Sequence, residues 1–149
     1  MQKLNFPAYT FRFKNSENKL AVFDEIRKKF VALTPEEWVR QHVVQFLMQH
    51  KNYPKSYINV EKSIKINGLT KRYDAVVFQP DGKIFLLVEC KAPEVPISQQ
   101  TFDQIARYNM ILEAKYLMVT NGLNHYFCSM DFENEQYQFL RELPDFITQ

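Results

Sequence analysis

Glycine occurs only 3 times in 149 residues and proline 7 times, which excludes collagen-like and low-complexity chains. Cysteine is limited to Cys90 and Cys128. Two thiols make no disulfide framework, and no Cys/His spacing suits zinc, with His42, His50 and His125 scattered. No apolar run is long enough to cross a bilayer, and no charged-then-apolar leader opens the chain. The expectation is a reducing, cytoplasmic setting with no membrane partner. Excess charge is also lacking. The net is +2, so nucleic-acid binding cannot be argued from bulk charge and needs a local basic face. No internal repeat is visible.

Apolar mass is abundant. Hydrophobic residues make up 46% of the chain, with 13 Phe and 8 Tyr, enough for one domain over residues 1–149 with a full core. Tyr9, Phe11 and Phe13 alternate with polar residues and predict a half-buried strand. Asn15-Ser16-Glu17-Asn18 is a turn, and residues 19–24 return as the second strand of a hairpin spanning about 8–24. Residues 25–33 fit a short strand or a helical turn. Thr34-Pro35-Glu36-Glu37 is a strong helix start, with Thr34 as N-cap and Glu37 completing a capping box. That helix runs to about His50, burying Val39, Val43, Phe46 and Leu47.

Strands follow at 57–65, 73–78 and 83–91. Asn67-Gly68 ends the first, and Pro80-Asp81-Gly82 joins the other two. Ile84-Phe85-Leu86-Leu87-Val88 is apolar on both faces, as befits the middle of a covered sheet. A second helix, capped by Ser98 or Thr101, runs to about Glu113. Strands at 116–120 and 124–130 and an edge strand at 135–140 complete the order. The pattern predicts an α/β fold with a central mixed β-sheet flanked by helices and an N-terminal β-hairpin.

Three ionisable residues interrupt the apolar strands. Asp74 opens one, and Glu89 and Lys91 close the next. Ionised groups seldom lie in buried strands unless paired or bound to metal. Glu89 and Lys91 share a face by alternation, and an antiparallel hairpin brings Asp74 beside them. Two carboxylates there offer hard oxygen ligands for Mg²⁺ or Mn²⁺. Lys91 is placed to orient water or to stabilise charge on a phosphate. The bland alternative is a Glu89–Lys91 salt bridge with Asp74 exposed.

The stretch resembles the PD-(D/E)xK nuclease superfamily, and more narrowly the N-terminal nuclease domain of type I restriction enzyme R (HsdR) subunits. The resemblance is carried by Thr34-Pro35-Glu36-Glu37-Trp38-Val39-Arg40-Gln41, Arg72-Tyr73-Asp74, Val88-Glu89-Cys90-Lys91-Ala92-Pro93 and Gln104-Ile105-Ala106-Arg107-Tyr108-Asn109. It covers a core of about residues 30–130. It implies a restriction-endonuclease-like fold and a Mg²⁺- or Mn²⁺-dependent endonuclease acting on DNA. Asp74 and Glu89 would be the metal ligands and Lys91 the catalytic lysine. Tyr73 replaces the superfamily's proline before the aspartate. An R subunit also carries a helicase motor, and no Gly-x-x-x-x-Gly-Lys-[Ser/Thr] loop is present. The chain is thus expected to be a stand-alone relative or a fragment, with a motor or other restriction subunit encoded separately as a partner in the first case.

Gln104 and Tyr108 stand four apart on one helical face. The resemblance implies that they position substrate; otherwise Tyr108 is core and Gln104 surface. Glu36 and Glu37 compete for an additional acid role. Glu37 serves the cap, and Glu36 shares the sheet-facing side with Val39 and Val43, so Glu36 is preferred. Arg40 is set to pair with Glu36 or to meet phosphate. Lys71, Arg72 and Arg107 fit phosphate contacts or a solvated face. Trp38 is assigned to packing, and Cys90 to the opposite buried face. A module that kept the scaffold without turnover, binding nucleic acid or docking a partner, is the competing expectation.

Overall fold

Period-two alternation builds most of this chain, and it sorts into two sheets. The structure, a computed structural model, describes residues 1–147. The smaller sheet is antiparallel and holds β1 (Phe13–Ser16), β2 (Lys19–Asp24) and β3 (Lys29–Ala32) in chain order. The larger sheet holds β4 (Ile58–Ile66), β5 (Leu69–Phe78), β6 (Ile84–Cys90), β7 (Tyr116–Thr120), β8 (His125–Asp131) and β9 (Gln136–Leu140), also in chain order. Its neighbours are antiparallel except β6 and β7, which run parallel. A parallel pair needs a crossover, and α2 (Gln99–Tyr108) supplies it; α1 (Pro35–Gln49) precedes the sheet.

The two helices cover opposite faces. Val39, Val43, Val44 and Leu47 of α1 pack on Ala75, Val77, Leu86 and Val88. Phe102 and Ala106 of α2 pack on Val76, Leu87, Leu117 and Val119. This is why β6 is apolar on both sides. The expected mixed sheet flanked by helices is the fold observed.

Local details differ from expectation. The first strand begins at Phe13, not near Tyr9. Tyr9 and Phe11 instead turn onto α1, with ring centroids 5.5 Å from His50 and 4.9 Å from His42 respectively. Imidazole faces give these aromatics a better partner than a solvated ladder does. Residues 29–32 form a third strand on the hairpin. The second helix stops at Tyr108, followed by one 3₁₀ turn. Asn109 ends it: its amide donates to the Ile105 carbonyl (2.9 Å) and its oxygen accepts from the Tyr73 hydroxyl (2.7 Å). The strand expected at 73–78 is longer, because β5 starts at Leu69. Asn67 and Gly68, with φ of 51° and 80°, end β4 as expected and form a two-residue turn into β5.

At the start of α1, Thr34 accepts a hydrogen bond from the Glu37 amide at 3.0 Å, as an N-cap should. The Glu37 carboxylate does not reciprocate. It is buried with Arg40, Gln41, His42 and Gln45, so α1 is covered on part of its polar side as well.

Candidate active site

Arg40 is the hub of the polar interior. Its guanidinium, on the buried side of α1, donates to Glu37 (2.7 Å) and Asp74 (2.7 Å). The same group meets Glu61 at 2.8 Å and Glu36 at 3.9 Å. Arg27 extends the network by donating to Asp24 (3.0 Å) and Glu37 (2.9 Å), and Gln41 donates to both of those acids. Arg72 adds a contact to Glu61 at 3.2 Å. Five carboxylates therefore share three guanidinium groups.

Asp74 sits where β5 and β6 part. Ala75 is opposite Val88, so Asp74 and Glu89 are the next residues on the two strands. The Asp74 carboxylate bridges Arg40 and the backbone of Cys90, whose N–H donates to it at 2.7 Å. Glu89 goes the other way. Val88 and Cys90 face α1 while Leu87 faces α2, and alternation puts Glu89 with Leu87. There Glu89 accepts from Lys71. The Lys71 ammonium also lies 4.9 Å and 4.6 Å from the ring centres of Tyr73 and Tyr108.

The expected meeting of Asp74, Glu89 and Lys91 is thus replaced by a split. Among the described residues, no hydrogen bond or ion pair joins any two of them. No group of three His, Cys, Asp or Glu is placed there to hold a metal. The physical cause is local: each carboxylate has a cation closer at hand, Arg40 for Asp74 and Lys71 for Glu89. Sequence alternation gave the correct face for Glu89, but Asp74 is drawn toward α1.

Glu36 does come to Asp74. Its side chain is 49% exposed. Partial burial raises its pKa, and the neighbouring Asp74 carboxylate raises it further by charge and hydrogen bonding, against the pull of Arg40 and Lys91. Lys91 thereby lies within electrostatic reach of Glu36, while its backbone N–H donates to the Thr120 carbonyl at 2.8 Å. Glu37, the competitor, is spent inside the arginine network. Cys90 is buried in the α1-side core, and burial pushes its thiol pKa well up. It is a packing group rather than a nucleophile.

Gln104 and Tyr108 flank a shallow cleft with Lys71 and Ile105. Tyr108 is exposed rather than core, which removes one alternative for it. Arg72 is exposed beside Glu61, and Arg107 pairs with Asp103 at 2.9 Å on its own helix. Trp38 packs against Phe11 and His42.

Two site neighbours have roles that the sequence did not assign them. Lys71 holds Glu89. Glu61 adopts φ of 54° inside β4, a left-handed conformation that is uncommon for a residue of this type. The ladder pairs Val60 with Ala75 and Lys62 with Tyr73, leaving Glu61 out. That kink turns its carboxylate onto Arg40. Such backbone strain gathers at functional sites. The lone sequence signal was an acid within an otherwise alternating strand.

A sheet covered on both faces, with acids gathered where two central strands separate, defines a restriction-nuclease-like α/β fold. Residues 35–144 match the family of the type I restriction enzyme R protein N terminus (HSDR_N), and the chain belongs to that family. A fragment structure assigned to an HsdR subunit of a type I restriction enzyme from Vibrio vulnificus YJ016 shares the fold, with a TM-score of 0.52 and 23% sequence identity. The match covers 76% of this chain and 24% of that one, so the chain spans about a quarter of its solved relative. No curated protein sequence matches it.

Proposed function

We propose that this protein is a divalent-metal-dependent deoxyribonuclease that hydrolyses DNA phosphodiester bonds, cutting as an endonuclease within a restriction system. The observation that carries it is the gathering of Glu36, Glu37, Glu61 and Asp74 around the one guanidinium of Arg40. Family membership supports the same chemistry. The donor set fits Mg²⁺ or Mn²⁺, being all hard oxygen with surplus negative charge. Asp74 would hold the ion with Glu36 assisting, and Glu89, which lies beside Lys71 on the other side of the sheet, would join as a ligand only by turning toward them.

When bound, the ion supplies polarisation of a phosphoryl oxygen and a more acidic water. Arg40 releases Asp74 at little cost, since Glu37 and Glu61 keep its charge paired. Lys71 can release Glu89 while its ammonium stays over the two tyrosine rings. Lys91 then orients the attacking water or steadies charge on the phosphate. Gln104 and Tyr108 shape the substrate side, and Arg40 and Arg72 offer donors to phosphate. The setting is cytoplasmic, and a motor or other restriction subunit is the fitting partner.

One observation favours a second reading. Asp74 and Glu89 are each neutralised by the protein's own cations, as in a scaffold that binds nucleic acid or a partner without turnover. Incubating the protein with plasmid and linear DNA, with and without Mg²⁺ or Mn²⁺, separates the two. Cleavage that requires the ion and vanishes in Asp74→Ala and Lys91→Ala is the expected result. Cleavage retained in either folded variant removes the mechanism, and DNA left intact by the wild type favours the second reading.

A further inference from the structure

We propose that the outer half of the β4–β5 hairpin, residues 62–73, is an arm that grips duplex DNA with its polar face. The sheet ends before this segment does. The pairing of β5 with β6 ends at Ala75 and Val88, whereas β4 and β5 continue together out to Ile66 and Leu69. The outer hairpin is therefore a two-stranded ribbon standing past the sheet.

Its register gives it two unlike faces. Ile64 lies opposite Lys71 and Ile66 opposite Leu69. These residues line a cavity of about 230 Å³ with Tyr108 and Ile111 at the end of α2, which props the ribbon from one side. The other face pairs Ser63 with Arg72 and Lys65 with Thr70. Every side chain there can donate a hydrogen bond, and none is acidic.

Charge is concentrated in the same ribbon, with Lys65 and Arg72 on the donor face and Lys62 and Lys71 on the other. Residues 62–73 contain Lys62, Lys65, Lys71 and Arg72 and no Asp or Glu. The whole chain carries +2 and this arm +4, so everything outside the arm carries −2. Lys62 and Lys65 are exposed and make no ion pair among the described residues. A polyanion meets here a cationic ribbon free of acids, of a kind that fits a major groove.

The donor face also leads to the candidate site. Arg72 contacts Glu61 (3.2 Å), Glu61 contacts Arg40 (2.8 Å), and Arg40 contacts Asp74 (2.7 Å). A duplex lying along the arm has its backbone steered toward Asp74. The substrate class, duplex DNA, rests on the nuclease reading; the binding surface itself does not.

The test is fluorescence anisotropy in chelator, so that no cleavage intervenes. The probes are a duplex of about two helical turns and its single strand, titrated over a range of salt. Lys65→Ala should weaken duplex binding several-fold and lower the salt slope by about 1. Lys65→Glu should weaken it further, and Lys65→Arg should bind like wild type. Lys29→Ala, an exposed lysine on the small sheet, is the charge-matched control and should bind unchanged. Far-UV circular dichroism checks that each variant is folded. Wild-type affinity and slope in Lys65→Glu overturns the proposal, as does tighter binding of the single strand or no binding of DNA at all. Arm-dependent binding without metal-dependent cleavage keeps the arm and removes the nuclease; cleavage with arm-independent binding does the reverse.

Discussion

Arg40 does work that no neighbouring residue can share. Its planar fork reaches Glu37 through one nitrogen and Asp74 and Glu61 through another, a geometry that a lysine ammonium lacks. Arg40→Ala leaves the buried Glu37 carboxylate short of a partner and should cost about 3–5 kcal/mol in urea unfolding. Arg40→Lys should recover only part of that, and full recovery would contradict the fork. Glu61 offers a subtler comparison. Its left-handed backbone suits glycine, so Glu61→Gly loses an ion pair but relieves strain, whereas Glu61→Ala loses the pair and keeps it. The glycine variant should be more stable than the alanine variant by about 1 kcal/mol, read as a difference in midpoint; equal midpoints would mean that the backbone relaxes. Gly122 is a further backbone-restricted position. It has φ of 87°, and a Cβ there would stand 3.0 Å from side-chain carbons of Leu4 and Val39. Gly122→Ala should lower stability by about 1–3 kcal/mol.

Among elements, the segment before β1 has an unusual fastening. His125 donates through Nε2 to the Asn5 carbonyl at 2.6 Å and shares a hydrogen bond with the Thr120 hydroxyl at 2.7 Å through Nδ1. His42 donates through Nδ1 to the Trp38 carbonyl at 2.9 Å and packs on Phe6, Tyr9 and Phe11. Burial lowers both imidazole pKa values from 6.5, against the opposing effect of those backbone carbonyls. A lowered folded pKa means that the fold favours the neutral ring. The stabilisation is therefore complete above 6.5 and is lost as pH falls below it. The N-terminal segment should loosen in that window. Trp38, the single tryptophan, donates to the Gln2 carbonyl at 2.7 Å, so its emission should shift to the red on acidification. Emission that stays constant through the window, or a shift that survives in His42→Gln/His125→Gln, would rule the fastening out.

At the level of the whole molecule, metal loading has a direct signature. An ion that binds the folded chain and not the unfolded one stabilises by mass action. Mn²⁺ should raise the melting temperature in proportion to the logarithm of its concentration, and Asp74→Ala should abolish the rise. An equal rise in both proteins would place the ion elsewhere. The same scale shows what the sequence disclosed. Alternation and capping gave the helices, the central strands and their order, because these depend on neighbours within a few residues. Turn chemistry gave Asn67-Gly68 as a boundary but not the length of the ribbon around it. The path of Tyr9 and Phe11 was hidden, since their partners His42 and His50 lie far along the chain. At the site, Asp74, Glu36 and Lys91 were legible as charges out of place. The partners of Lys71 and Glu61 were not, because a lysine read as a phosphate contact or solvated residue and a strand glutamate look ordinary until a distant carboxylate or guanidinium claims them.

Arg40 has one more consequence. Because a counter-charge for the acids is written into the polypeptide, the fold should form without the proposed ion. Exhaustive chelation should leave a protein that still unfolds cooperatively, at a lower melting temperature than in the presence of Mn²⁺.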